Sequence, residues 1–324
     1  MSNNLSVQKT NSTIDILKVI MALLVVGIHT EPFGFNVWLD RGFGIITRLC
    51  VPFFFITSAY FYWLKEKGAF FYLKRIVLLY LIWSVIYLPF DIKELRSMSF
   101  GQILYRFLWE GNEHALWYLC ASAVGFTITF LLLKILKPKT VLVIGILFLV
   151  IGCVKSTWAP FAEKLFSVNI PDFLGSRNGL FYAFPYTALG MYIAKKPDKG
   201  KTENLHPAIM GFIASLAALA AESFVFVVWL KTPVTILWLS VLPCTYFLFI
   251  LSSNIKINLR KDTSLFLRKM STLIYVSQYL FIPLFENFHY TVLFILVSAS
   301  AVIFSAVIIK LSETKYLKPL KYLY

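Results

Sequence analysis

The stretch IDILKVIMALLVVGIHTEPFGF, residues 14 to 35, is apolar enough for a bilayer yet carries Asp15, Lys18 and His29. An ionisable side chain inside a membrane span is costly, and by default it marks function. Lys18 and His29 stand 11 positions apart, within about 20° of three whole helical turns, so they share one face roughly 16 Å apart along the axis. Asp15, three positions before Lys18, is spaced to pair with it on that face. A histidine can take and return a proton near neutral pH, which is what activating a hydroxyl for group transfer requires. The plainer alternative has Asp15 and Lys18 reaching to the inner interface while His29 sits wetted at the outer one.

Other polar residues fall at the ends of apolar runs. Arg48 opens RLCVPFFFITSAYF, which holds Thr57 and Ser58. NEHALWYL places Glu113, His114 and Trp117 where a loop meets the next run, and GSRNGLFYAFPYTALG sets Arg177 and Asn178 ahead of another. Glu222 stands in AALAAESFVFVVW with no other charge within eight residues. His206 and His289 fall in loops beside run ends and look ordinary. Cys50, Cys120, Cys153 and Cys244 all lie in apolar runs without a CxxC pair, so neither a disulfide framework nor a zinc site is indicated.

The elements that must position these residues are membrane helices. The 324 residues are 59% hydrophobic and only 15% charged, with a mean hydropathy of +0.74. A soluble chain carries nearer a quarter charged residues. We expect an all-α polytopic membrane protein of about ten spans in one bundle: 14–35, 43–63, 71–90, 115–133, 141–157, 179–194, 207–230, 233–252, 271–288 and 291–311. Residues 1–13 and 312–324 are expected as tails flanking the transmembrane domain 14–311. With the N-terminus inside, the inner segments hold 21 of the 31 Lys and Arg. The opposite loops hold nine: Arg41, Arg48, Lys93, Arg96, Arg106, Lys155, Lys164, Arg177 and Lys231. That asymmetry puts both termini in the cytoplasm. The net charge of +15 is therefore read as topology with an anionic-lipid contribution, not as a nucleic-acid surface. No small-residue cleavage site follows the first apolar run, so it is expected to remain as a helix. The loops 91–114 and 158–178 mix aromatics with charges and should fold over the bundle. The basic stretch 253–270 is expected as a short helix on the inner lipid surface.

Taken in order, these stretches resemble the acyltransferase 3 family of integral-membrane acyltransferases. Asp15, Lys18 and His29 match its first-helix pattern; VPFFFITSAYF, HALWYL and RNGLFYAFPYTALG are similar to three later motifs; Glu222 falls where many members carry a membrane glutamate. The likeness runs from about residue 12 to 311. It is nearest to members that acetylate surface sugars and to the membrane half of membrane-bound serine racemases, in which a cytosolic pyridoxal-phosphate domain follows. Two departures stand out. YLKRIVLLY has Tyr72 where the family's third span carries its first basic residue, and Ser277 and Gln278 stand where many members have a histidine.

The resemblance implies an O-acyltransferase that moves an acyl group, most simply acetyl, from cytosolic acetyl-CoA to a hydroxyl of a cell-surface glycan or lipid-linked sugar outside. Lys18, Lys74 and Arg75, with Asp15 beside Lys18, would meet the coenzyme A phosphates at the inner end. His29 would act as general base with Glu31 orienting its imidazole, and Arg177 or His114 would stabilise the oxyanion. Arg48, Ser58, Trp117, Asn178 and Glu222 would serve the acceptor. Neither metal nor resident cofactor is expected; acyl-CoA is a co-substrate. The rival expectation is a transporter of a small polar solute, such as an amino acid, or of a lipid-linked sugar, using the same intramembrane charges as its path.

Overall fold

A computed structural model describes residues 11–64, 69–112, 116–167, 175–230 and 237–324. The described residues form helices and no strand. In chain order these are α1 (Ser12–Thr30), α2 (Val37–Thr47), α3 (Cys50–Leu64), α4 (Ala69–Leu95), α5 (Phe100–Tyr105), α6 (Trp117–Leu132), α7 (Pro138–Val154) and α8 (Ala159–Phe166). They continue with α9 (Phe184–Lys195), α10 (His206–Ser223), α11 (Val241–Asn254), α12 (Lys261–Ser277), α13 (Ile282–Phe285) and α14 (Tyr290–Leu311). Wide π-turns extend α5, precede α9 and follow α10, at Arg106–Glu110, Gly179–Ala183 and Phe224–Trp229.

Local sequence sets the ends of α1. The Asn11 side chain accepts from the backbone N–H of Ile14, satisfying one of the free donors of a helix start. At the other end Glu31 turns into the left-handed region (φ 47°) and returns its N–H to the Gly27 carbonyl, which closes the helix one residue after Thr30.

Two helix pairs carry the architecture. α3 packs along α9, and α1 along α12, with α11 touching both α1 and α3. The first pair is close because Gly190 lies against the backbone carbonyl of Ile56, where a Cβ would collide. α3 is buried along most of its length, whereas peripheral helices bury narrow stripes. In α14 the buried residues are Val297, Ala301, Ser305 and Ile309, a four-residue spacing that lines one helix face. Its opposite face shows Ile295, Ile303 and Val307, as a helix facing lipid should.

Five described stretches are long and apolar enough to cross a membrane: Ser12–Thr30, Val37–Leu64, Phe70–Leu95, His206–Trp229 and Tyr290–Leu311. α7 and α8 make a sixth if their 81° bend is counted inside one span. The remaining expected spans are shorter or interrupted. α6 and α11 have 16 and 14 residues, about 24 and 21 Å against roughly 30 Å of hydrocarbon. The expected ninth span, 271–288, and the basic stretch before it also differ. α12 runs unbroken from Lys261 to Ser277 and then gives way to a 3-10 turn, Gln278–Leu280. The basic residues of 261–270 thus belong to a helix packed on α1 rather than to a separate surface helix.

The stretch after α4 folds back against that helix, where the Tyr80 hydroxyl donates to the Phe107 carbonyl at 2.8 Å. Asn112 donates to Asp91 (3.1 Å) and accepts from Arg106 Nε (3.1 Å), while Arg106 also pairs with Glu94 at 2.7 Å. Most of the expected N-terminal tail, and the cations Lys9, Lys65, Lys67 and Lys231, lie outside the described residues.

Candidate functional site

α1 and α12 together carry polar groups at two levels. At the lower level Asp15 is almost fully enclosed and does not pair with Lys18. Its carboxylate accepts from Arg268 Nε (3.0 Å), Arg268 Nη2 (2.8 Å) and Ser264 Oγ (2.7 Å). A forked guanidinium matches a carboxylate with two near-parallel bonds, which an ammonium cannot do. This pairing holds Arg268 in place and leaves Lys18 to reach over the Phe61 ring, 5.7 Å from its centroid.

Arg268, Lys18 and Arg75 converge on one cavity of about 310 Å³, bordered also by Thr57, Ser58, Tyr72, Tyr118 and Thr272. A smaller chamber of about 80 Å³ adjoins it, shares Lys18, Ser58, Tyr118, Arg268 and Thr272, and reaches Ser271 and Tyr275. Three cations and several hydroxyls around an open space suit an anion such as a phosphate. Lys74 is exposed and does not border this space. It is Arg75, one position further round the helix, that faces in. Tyr72, standing where a basic residue was expected, lines the same wall.

At the upper level the His29 Nδ1 lies 2.8 Å from the Tyr279 hydroxyl. Glu31, expected to orient this ring, is the exposed left-handed residue that closes α1. Arg177 is close enough to act electrostatically on His29, Arg48 and Tyr275. Its guanidinium sits 5.1 Å from the Trp117 ring centre, and Trp117 stacks on Tyr182 at 5.6 Å with 10° between planes. Arg177, Trp117 and Tyr182 therefore lie together. Arg268, Thr272, Tyr275 and Tyr279 follow one another at spacings of four, three and four along α12 and its continuation. That repeat runs up one face and links the cationic cavity to His29.

Two other expected residues take structural positions. Asn178 accepts from the N–H groups of Leu180 and Phe181, both at 2.9 Å, and donates to the Gly175 carbonyl. It caps the π-turn ahead of α9 and so aims the preceding Arg177. Glu222 accepts from Trp158 Nε1 (2.9 Å) and from the backbone N–H groups of Leu239 (3.0 Å) and Ser240 (2.9 Å). It ties α10 to the start of α11 and to the α7–α8 corner. Arg48 ends α2 and lies 5.5 Å over the Trp238 ring, bordering a separate cavity. Ser58 borders the cationic cavity rather than the His29 level. His114, with Glu113, lies outside the described residues.

Sequence reasoning missed Arg268 and Tyr279. Arg268 was counted only as an inner cation. The signal for it was the buried carboxylate of Asp15, which needs a partner able to fork. Tyr279 had a signal only in its spacing from Arg268.

An acyltransferase family model, described as an acyltransferase domain, matches residues 11–310. Among curated proteins, an amino-acid racemase of Enterococcus faecalis is 30% identical over 215 residues, covering 60% of this chain and 29% of that protein. A second amino-acid racemase of the same organism is 26% identical over 215 residues, covering 59% and 31%. A serine/alanine racemase of Enterococcus gallinarum is 28% identical over 239 residues, covering 66% and 33%. The chain thus spans about a third of the length of the curated relatives it matches. No solved structure matches it significantly. The family match runs from the cap of α1 nearly to the end of α14, across both levels of the site, and the chain belongs to the acyltransferase 3 family of membrane acyltransferases.

Proposed function

We propose that the chain transfers an acyl group, most simply acetyl, from a cytosolic acyl-CoA to a hydroxyl of a cell-surface glycan or lipid-linked sugar on the other side of the membrane. The observation that carries this reading is the two-level arrangement on α1 and α12. A three-cation cavity lies at one end, and His29, with Tyr279 and Arg177 near it, lies at the other. Lys18, Arg75 and Arg268 would hold donor phosphates through charge-assisted contacts. The acyl thioester would extend along the Thr272–Tyr275 face toward His29. There the imidazole takes the acceptor hydroxyl's proton as the new ester bond forms, and Arg177 stabilises the oxyanion before the thiolate leaves. In this reading both termini are cytoplasmic, as the loop charge asymmetry argues, and the cationic cavity faces the donor.

The test uses the full chain purified in detergent. His29→Gln preserves size and hydrogen bonding but cannot titrate. It should bind acetyl-CoA as the parent does and lose acyl transfer by about 10²–10⁴-fold. Full activity in this variant would remove the general-base role. A second reading, movement of a small amino acid, draws on the racemase names of the relatives. It predicts uptake without dependence on acyl-CoA or on Arg75.

A further inference from the structure

Beyond α14 the chain turns back on the bundle. Lys318–Leu323 form a 3-10 turn with Pro319 at its start, where the fixed φ of proline favours a helical entry. The turn packs on α14 and on α4. There the fully buried Trp83 of α4 donates its indole N–H to the Leu323 carbonyl at 3.1 Å. Tyr324, only 9% exposed, places its ring 5.3 Å from Lys269 Nζ of α12. Its hydroxyl lies 2.7 Å from Ser312 Oγ, and Ser312 gives its own hydrogen to the Ile309 carbonyl, so the tyrosine donates in this pair. Residues 323 and 324 thus join α4, α12 and the end of α14.

This seam runs into the cationic cavity. Ile76 and Leu79 border that cavity and stand seven and four positions before Trp83, on the same side of α4. Lys269 directly follows Arg268. Farther along, α4 is tied to α12 directly, where the Tyr87 hydroxyl donates to the Val276 carbonyl at 2.6 Å. Arg268 is fixed to α1 through Asp15, so the width of the cavity depends on where α4 and its Arg75 lie. Like charges around one space push its walls apart, and walls set in advance spare a ligand the cost of arranging them.

We propose that residues 318–324 are a positioning element of the cationic cavity: they fill the seam between α4 and α12 and hold Arg75 at its distance from Arg268. That the cavity takes an acyl-CoA rests on the transfer reading; the positioning does not.

Spin labels on Phe70→Cys of α4 and Leu265→Cys of α12 test it by pulsed electron resonance on the full chain in detergent. Both sites are exposed and outside the cavity lining, and the native cysteines are all buried. A control pair, Val143→Cys on α7 and Ile213→Cys on α10, is exposed elsewhere on the bundle. Tyr324→Ala should broaden or lengthen the α4–α12 distance and leave the control distance unchanged. It should also weaken acetyl-CoA binding about tenfold, the factor expected when the arranged cavity falls to a tenth of the population. Tyr324→Phe keeps the ring and should match the parent in both measurements. Trp83→Phe keeps an aromatic filler but removes the tie to Leu323. It should shift both measurements in the direction of Tyr324→Ala, and it decides the matter if that variant fails to insert. An unchanged α4–α12 distance, equal changes in both label pairs, or a changed distance with donor binding intact overturns the proposal. If the parent itself binds no acetyl-CoA, the transfer reading falls and the distances alone decide the positioning.

Discussion

At the scale of residues, the two levels of the site are built by pairings between α1 and the α12 segment, Asp15 with Arg268 and His29 with Tyr279. Asp15, Lys18 and His29 were conspicuous because charge in an apolar run is costly, and Lys18 does border the cavity while His29 stands a level above. The partners came from elsewhere in the chain: Arg268 for Asp15 and Tyr279 for His29, each about 250 positions away. No local periodicity reports a contact of that kind. Two predictions belong here. Arg75 and Lys74 are adjacent cations of which only Arg75 borders the cavity, so Arg75→Gln should weaken acetyl-CoA binding by about 1–3 kcal/mol, while Lys74→Gln leaves it unchanged. Calorimetric titration of the two variants decides; equal effects would move the donor site away from this wall. For His29 to act as a base through Nε2, its Nδ1 must carry the proton and donate to the Tyr279 oxygen. Tyr279→Phe removes that acceptor and frees the tautomer. A hydrogen bond worth about 1–1.5 kcal/mol makes the expected loss roughly tenfold in kcat, with the donor KM unchanged. A change confined to KM would show that Tyr279 shapes the donor path instead.

At the scale of elements, the apolar runs were legible because length and hydropathy define them, and their ends were not. The sequence divides α12 near residue 270, between the basic stretch 253–270 and the apolar run that follows. The Asp15 carboxylate neutralises Arg268 inside the packed pair, and the helix continues through it. The same lesson applies to Glu222, which is out of place in a span but is occupied by three donors from two neighbouring segments. Its removal should be a matter of stability. Glu222→Ala leaves the Trp158 indole and two backbone N–H groups without an acceptor, at about 1–3 kcal/mol for each that stays buried. Glu222→Gln keeps one oxygen and should be milder. The melting temperatures should fall in the order parent, Gln, Ala, with transfer per folded molecule preserved. Lost transfer at an unchanged melting temperature would return Glu222 to the acceptor site.

At the scale of the whole molecule, the site works as a transmembrane device only if its two levels face opposite compartments. The cation asymmetry between alternating loops argues that they do, and the structure supplies positions at which to ask. Lys164 is exposed on α8, beyond the sharp bend that follows α7. Tyr316, past the end of α14, is 88% exposed. The four native cysteines are all buried, so a single introduced thiol should report with little background. Lys164→Cys should react with a membrane-impermeant maleimide in intact cells. Tyr316→Cys should react only after the membrane is permeabilised. Both substitutions lie away from the cationic cavity and from His29, so each protein should fold and can be checked for donor binding. If Lys164→Cys were protected in intact cells and Tyr316→Cys labelled, the bundle would be inverted: the three cations would face a compartment without acyl-CoA, and His29 would face the cytosol. If both were protected, α7 and α8 would form a re-entrant turn rather than a bent span. The chain would then cross the membrane fewer times than its apolar runs suggest, while the pairing of α1 with α12 and the two levels it carries would be unaltered.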